Sequence, residues 1–332
     1  MRLLMLGGTG FVGRAVVDEA RTRGHHITVL NRGNRPAPPG TTALTGDRRE
    51  PGGLAALRGG TWDAVVDTWS GAPNVVRDSA AALRGHAGHY TYVSSRSVYA
   101  TDDTTTVPHT EAAPTVDADP DSGEADDYAA AKRGAELAAE REFDGPVLHG
   151  RAGLILGPHE DIGRLPWWLN RIARGGPTLA PGPPEMKLQY IDARDLAAWL
   201  LDAAAAGRTG PYDLVSPSGY TTMAELLETV NAVTGGHAEL RWTEPKTILD
   251  AGITPWMELP IWLAPGYEYD FLHGGDVSKA LRAGLRLRPV GETVADTWSW
   301  LRSVGGEAPH RSDRPTLGLS PEREAAVLSG SR

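Results

Sequence analysis

The chain has 332 residues, with 42 acidic against 33 basic side chains and a formal net charge of −9; it offers no basic stripe for a phosphate backbone, so no nucleic-acid partner is expected. It contains no cysteine, which excludes disulfide scaffolds, thiolate metal sites and cysteine nucleophiles together and fits a reducing compartment, so a cytoplasmic location is expected. No apolar run approaches the ~18 residues of a membrane span, and glycines cut the N-terminal apolar stretch short of an export signal, so no membrane partner is expected either.

In chain order, Arg2 to Met5 reads as a short buried strand followed by Gly7 and Gly8. Phe11, Val12, Val16, Val17 and Ala20 then recur at helical spacing, and "HHITVLNRG" gives a second strand ending at Leu30. This strand, turn, helix, strand unit is the one that builds parallel sheets. The alternation continues through "WDAVVDTWS" (strand), residues 75–84 (helix), "GHYTYVSS" (strand), "DDYAAAKRGAELAAERE" (helix) and "PVLHGRAGLILG" (strand). The fold class expected is α/β, a doubly wound parallel Rossmann-type sheet with a smaller C-terminal substrate-binding lobe. Residues 1–157 would form the dinucleotide-binding core. Residues 158–304 would form mainly the substrate lobe, with some segments returning to the core, and 305–332 a polar, partly mobile tail.

Past Gly157 the chain is rich in Pro, Gly and Trp, and eight of the ten tryptophans lie there, as core of the smaller lobe or as walls of a pocket. "YIDARDLAAWLLDAAAA" reads as a short strand entering an apolar helix, and "YDLVS" as a strand. "TTMAELLETVNAVTG" is an amphipathic helix with Thr222 as N-cap and Glu225 as its N3 partner, and 278–304 hold two more short helices.

Gly8, Gly10 and Gly13 fit G-x-G-x-x-G, with Gly7 a further glycine in the turn. The spacing suits a turn no side chain permits, an open approach of a pyrophosphate to the amides at Phe11 and Val12, and close packing at Gly13. Where an NAD site usually carries Asp or Glu after the second strand, this chain has Asn31, Arg32 and Arg35. Guanidinium forks suit a 2′-phosphate, so NADP is expected over NAD. Asp47, with Arg48 beside it in "TGDRRE", is the candidate for the adenine amine.

Ser94 and Ser95 end the strand "HYTYVSS", and "YAAAK" sets Tyr128 and Lys132 four residues apart on one helix face. A phenol titrates near 10, too high for a base at neutral pH, and a neighbouring ammonium brings it down. Ser95 can donate to an oxygen that becomes alkoxide-like during hydride transfer.

With "GGTGFVG" at 7–13, "YVSSRSVYA" at 92–100 and "YAAAK" at 128–132, the chain resembles the extended short-chain dehydrogenases/reductases, a group that includes nucleotide-sugar epimerases and dehydratases. The resemblance implies a glycine turn at Gly7, Gly10 and Gly13, a catalytic set of Ser95, Tyr128 and Lys132, and a Lys132 that also bonds the nicotinamide ribose. Two departures stand out. Sugar dehydratases of this group carry an acidic pair where this chain has Arg96 and Ser97, which argues against dehydration. "VDTWSGAP" replaces an Ala-rich turn, leaving Asp67 and Thr68 as candidates for the cofactor ribose and Trp69 as its cover. Arg96 is expected either to meet a carboxylate or phosphate on a small-molecule substrate or to form a surface salt bridge, and Trp167 is a candidate pocket wall.

The acidic segment 101–127 holds nine Asp or Glu and no Lys or Arg, as negative as the whole chain, and is expected to stay solvated or to discourage anionic substrates. The histidines form no ligand-spaced cluster, so no catalytic metal is expected, whereas a homodimer through helices of the main sheet is among the expected partners. The leading expectation for function is an NADP-dependent reductase or dehydrogenase acting between nicotinamide and a carbonyl or secondary alcohol. The alternative is a nucleotide-sugar epimerase using transient oxidation by bound NAD(P), and a third reading is a non-catalytic NADP sensor.

Overall fold

Leu3, Leu4, Met5 and Leu6 have no exposed surface, which is what an apolar run needs to be the centre of a parallel sheet. In the computed structural model, which describes residues 1–101, 106–311 and 314–330, this run is β1 (Arg2–Leu6). Gly7 and Gly8 follow with φ of +117° and +91°, a conformation that favours glycine, and α1 (Phe11–Thr22) then buries Phe11, Val16, Val17 and Ala20. β2 (His26–Asn31) and β3 (Thr42–Thr45) extend the sheet on one side. β4 (Ala64–Asp67), α2 (Pro73–Ala82), β5 (Tyr90–Ser95), α3 (Tyr128–Glu142) and β6 (Val147–Ala152) extend it on the other.

With Gly210–Leu214 on the far edge they make a seven-stranded sheet in which every pair is parallel, ordered 210–214, β6, β5, β4, β1, β2, β3. The order in which strands are added reverses between β1 and β4, and the crevice beyond their C-terminal ends is where a doubly wound sheet binds ligands. The doubly wound expectation holds.

The chain divides into two compact units. The first is Met1–Gly153 with Ala193–Leu214 and Val277–Arg286. Its helix Ala193–Ala205 packs on α1, where Arg23 meets Asp202 at 2.6 Å. The second is Leu154–Asp192, Val215–Asp276 and Leu287–Arg332. In it, helices Arg164–Ala173, Met223–Thr234 and Val290–Ser303 pack around Trp168, Leu169, Leu226, Leu227, Trp262 and Leu301. Strands Gly176–Pro181 and Ala238–Thr243 pair in parallel there. Thr222 and Glu225 form the expected capping box.

Two expectations are revised. "PVLHGRAGLILG" is not one strand: β6 ends at Ala152, and Leu154–Leu156 pairs instead with Tyr190–Asp192 in the second unit. The polar tail carries a helix, Pro321–Gly330, because Glu324 is buried, accepts from Leu179 N at 3.0 Å and pairs with Arg171 at 2.5 Å. Among the described residues no helix is long and apolar enough to cross a membrane, and no group of His, Asp and Glu could hold a metal ion.

Candidate active site

The glycine turn is built as a cradle. A Cβ on Gly7 would lie 2.6 Å from Thr68 Oγ1 and one on Gly13 2.6 Å from Gly8 N, so both close approaches need glycine. At Gly10, the N-cap of α1, an added Cβ meets nothing within 4 Å, and no side chain caps the helix. The first-turn amides, those of Phe11 and Val12 among them, therefore face open space at the positive end of the helix dipole, a setting that fits a dinucleotide pyrophosphate.

At the end of β2, Asn31 accepts from Gly33 N through Oδ1 at 2.9 Å, and its Nδ2 has no partner among the described residues. Arg32 is exposed, and Arg35, also exposed, donates to the Thr9 carbonyl at 3.4 Å. Asp47 is held by Arg49, whose guanidinium keeps that carboxyl down at about 2.

Arg48 and Asp67 turn away from the surface. Their side chains are 7% and 0% exposed and joined by two parallel hydrogen bonds of 2.8 and 2.9 Å, while Asp67 also accepts from Tyr90 Oη and Trp69 N. With Asp67 holding four donors from Arg48, Tyr90 and Trp69, and Arg48 spent on Asp67 and Ser79, this geometry gives no support to the ribose role expected of Asp67 or the adenine-side role expected of Arg48. Thr68 remains half-buried against Gly7, and Trp69 half-buried with its indole donating to the Ala72 carbonyl at 2.9 Å.

Ser95 ends β5 and N-caps the short 3-10 turn Arg96–Val98. Its Oγ accepts from Ser97 N and donates to Ser97 Oγ, both at 3.1 Å. α3 packs along β5 and this turn, starting at Tyr128 because Asp127 caps it through bonds from Ala129 N and Ala130 N. Tyr128 is 36% exposed; one helical turn on, Lys132 is buried. Its Nζ donates to the carbonyls of Trp69 at 2.6 Å and Val93 at 2.8 Å, and lies 4.7 Å from the Tyr92 ring centroid. The sheet thus gathers Ser95, Tyr128 and Lys132 at the ends of β4 and β5. Asp127 was readable as an N-cap ahead of an Ala-rich run; the two backbone carbonyls on Lys132 carried no side-chain signal.

Arg96 is buried and turned inward. Its Nη2 donates to His109 Nε2 at 2.9 Å and its Nε lies 3.5 Å from Asp213, which also accepts from Tyr99 Oη at 2.6 Å. Burial pushes the Asp213 carboxyl up to about 6 and His109 down to about 4. The salt bridge expected at the surface is instead a buried one, and Arg96 turns toward Asp213 and His109. Trp167 lies on Arg164–Ala173 of the second unit, edge-on to Trp168 at 4.6 Å and packed against that unit's core.

The acidic segment is partly used by the fold rather than left to solvent. Glu111 accepts from Asp213 N, and Asp121 binds Arg77 and Arg141. Residues 102–105, with Asp102 and Asp103, lie outside the described residues.

The model of the NAD dependent epimerase/dehydratase family matches residues 3–214. A curated relative, 2'-dehydrokanamycin reductase of Streptomyces kanamyceticus, is 31% identical over 218 residues, 63% of this chain and 59% of that protein, so the match spans less than two thirds of the relative. Among solved structures, the Bordetella bronchiseptica enzyme WbmG in complex with NAD and UDP is 19% identical with a TM-score of 0.68, covering 93% of this chain and 96% of its own. The UDP-glucose 4-epimerase of Thermus thermophilus in complex with NAD is 19% identical with a TM-score of 0.62, covering 91% and 99%. At this identity the likeness is one of fold.

These findings correct the expectation of NADP over NAD. The matching family is the NAD dependent one and both solved structures hold NAD. Of the two arginines expected to hold a 2′-phosphate, Arg35 reaches back to the Thr9 carbonyl and Arg32 is exposed to solvent.

Proposed function

The chain belongs to the NAD dependent epimerase/dehydratase family, and from that premise we propose that it is an epimerase of nucleotide-activated sugars that works by transient oxidation of one secondary alcohol. The observation that carries the chemistry is Lys132, held by the Trp69 and Val93 carbonyls between a partly exposed Tyr128 and the strand end bearing Ser95. NAD, when bound, supplies the acceptor and later the donor of the hydride. The amides after Gly10 would hold its pyrophosphate, Asn31, whose Nδ2 has no hydrogen-bond partner among the described residues, would donate to the adenosine ribose, and Thr68 and Trp69 flank the turn from the side of β4.

Tyr128 Oη takes the hydroxyl proton as the carbinol carbon is oxidised and gives it back when the carbonyl is reduced from its other face. The Lys132 ammonium stabilises the phenolate before the first of those events and after the second, when Tyr128 is without its proton. Ser95 Oγ donates to the substrate oxygen, where negative charge develops. Arg96 has no part in an elimination, since it is buried against Asp213 and His109. The family match and the two nucleotide-sugar-related folds favour this reading over the reductase that the sequence suggested first.

The curated relative named a reductase supports a second reading, net reduction of a carbonyl with the same three residues. The two separate on isotope and stoichiometry. With substrate deuterated at the reacting carbon, an epimerase returns the deuterium to its inverted product and leaves no net NADH change; a reductase consumes one NADH per product. Tyr128→Phe is expected to lower kcat by about 10²–10⁴-fold while NAD still binds. Wild-type kcat in Tyr128→Phe would remove the proton-transfer mechanism from both readings.

A further inference from the structure

The buried Arg48–Asp67 pair contacts no candidate substrate surface, yet it lies two hydrogen bonds from Lys132. We propose that this ion pair is a positioning device for Lys132, acting through the Trp69 carbonyl; the inference rests on the role assigned to Lys132 above.

Each link is a short contact within the first unit. Arg48, just past β3, reaches across to the end of β4 and grips both Asp67 oxygens, with Nη1 also donating to Ser79 Oγ at 3.1 Å. Asp67 Oδ1 in turn accepts from Trp69 N at 2.9 Å, which sets the backbone direction of residue 69. The Arg48 guanidinium lies 5.1 Å from the Trp69 ring centroid, so the same cation restrains main chain and indole together. Trp69 O then accepts from Lys132 Nζ at 2.6 Å and Tyr92 Oη at 3.0 Å. An ammonium follows the carbonyls that hold it, and its second anchor, Val93 O, belongs to a strand that cannot shift alone.

Stability alone is a poor reason for such a pair. Removing water from two charges offsets most of their attraction, and apolar replacements of both partners are often neutral, whereas removing one strands the other. What the pair supplies is direction: a charged acceptor with four fixed donors, from Arg48, Tyr90 and Trp69, leaves residue 69 one orientation.

The test uses the full chain and the double variant Arg48→Met/Asp67→Asn, which leaves no buried charge unpaired. The chain has only four lysines, at 132, 187, 246 and 279, so ε-carbon-labelled lysine gives a few resolvable signals, with that of Lys132 assigned from Lys132→Arg. The double variant is expected to melt near the wild-type temperature, to move the Lys132 signal, and to bind NAD about tenfold more weakly by calorimetry, the loss of one well-set charged hydrogen bond. The pH profile of kcat should shift with it. A folded double variant with an unmoved Lys132 signal and wild-type NAD affinity would overturn the proposal.

Should that variant not fold, Arg48→Lys keeps the charge but loses one of the two parallel bonds and is read on the same signal; it too must move. Failure of the functional reading looks different. Lys132→Ala with undiminished turnover and NAD affinity would end that reading while leaving the Lys132 signal's response to the ion pair intact.

Discussion

Gly10 separates room for a ligand from room for a fold. Its added Cβ would touch nothing, so Gly10→Ala is expected to change stability by less than about 1 kcal/mol, the cost of Ala at an N-cap. The same methyl would stand where a pyrophosphate approaches the amides, so NAD affinity should fall by an order of magnitude or more. Thermal melting and calorimetry on one sample decide the point; equal losses in both would mean that Gly10 serves the turn alone. At this scale the motif positions were legible as positions: Gly7, Gly10 and Gly13 form the turn after β1, Ser95 ends β5, and Tyr128 and Lys132 sit one turn apart on α3. The inward-facing charges were not. Arg48, Asp67 and Arg96 each read as ligand groups, because sequence records a charge without recording which way it turns.

Among the elements, helix Arg164–Ala173 starts in an unusual way, with Gly163 at φ +95° and no side-chain cap from its N-cap residue. The carboxylate of Glu160 does that work from within the protein, accepting from Arg164 N at 2.6 Å and Leu165 N at 3.2 Å. Burial pushes its carboxyl up from 4.5 to about 7, against the opposing pull of Arg164 and the two backbone donors. Between those values the folded chain keeps a proton that the unfolded chain has released. This group's contribution to stability is therefore largest in acid, declines as pH rises through that window, and is flat above it. Glu160→Gln cannot ionise and should lose that decline; melting temperatures of both proteins across pH 4 to 8 test it, and parallel curves would refute it. Element types and order through β6 followed from apolar periodicity, whereas helix Arg164–Ala173 and strands Gly176–Pro181 and Ala238–Thr243 did not. The break at Gly153 did not, since an uninterrupted "PVLHGRAGLILG" looks the same whether its halves share one sheet or two. The tail helix was hidden for a related reason: Pro321–Gly330 is held by the buried pair Arg171–Glu324, by Arg323 on Glu258, and by Val327 and Leu328 on the core, too short an apolar stripe to recognise.

For the whole molecule, the two units are interleaved along the chain, which passes from one to the other at 153/154, 192/193, 214/215, 276/277 and 286/287. A fragment ending at Gly153 would hold six strands of the main sheet but neither the edge strand Gly210–Leu214 nor the helix that gives Arg23 its partner Asp202. It is expected to aggregate and to show no cooperative melt by circular dichroism, because β6 would present an open, apolar edge. A soluble, cooperatively melting fragment would refute this. Family membership was legible at this scale from three motifs in order, while the choice of cofactor was not, because it rested on loop arginines whose partners only the folded chain specifies.

The same interleaving has a consequence on the ribosome. When Ala152 has been synthesised, the strand that will flank β6 is still untranslated, and at about 5–20 residues per second several seconds pass before Leu214 emerges. Throughout that interval the nascent chain carries a bare parallel strand, and its yield in a cell should depend on chaperones that shield it and on how fast codons 153 to 214 are read.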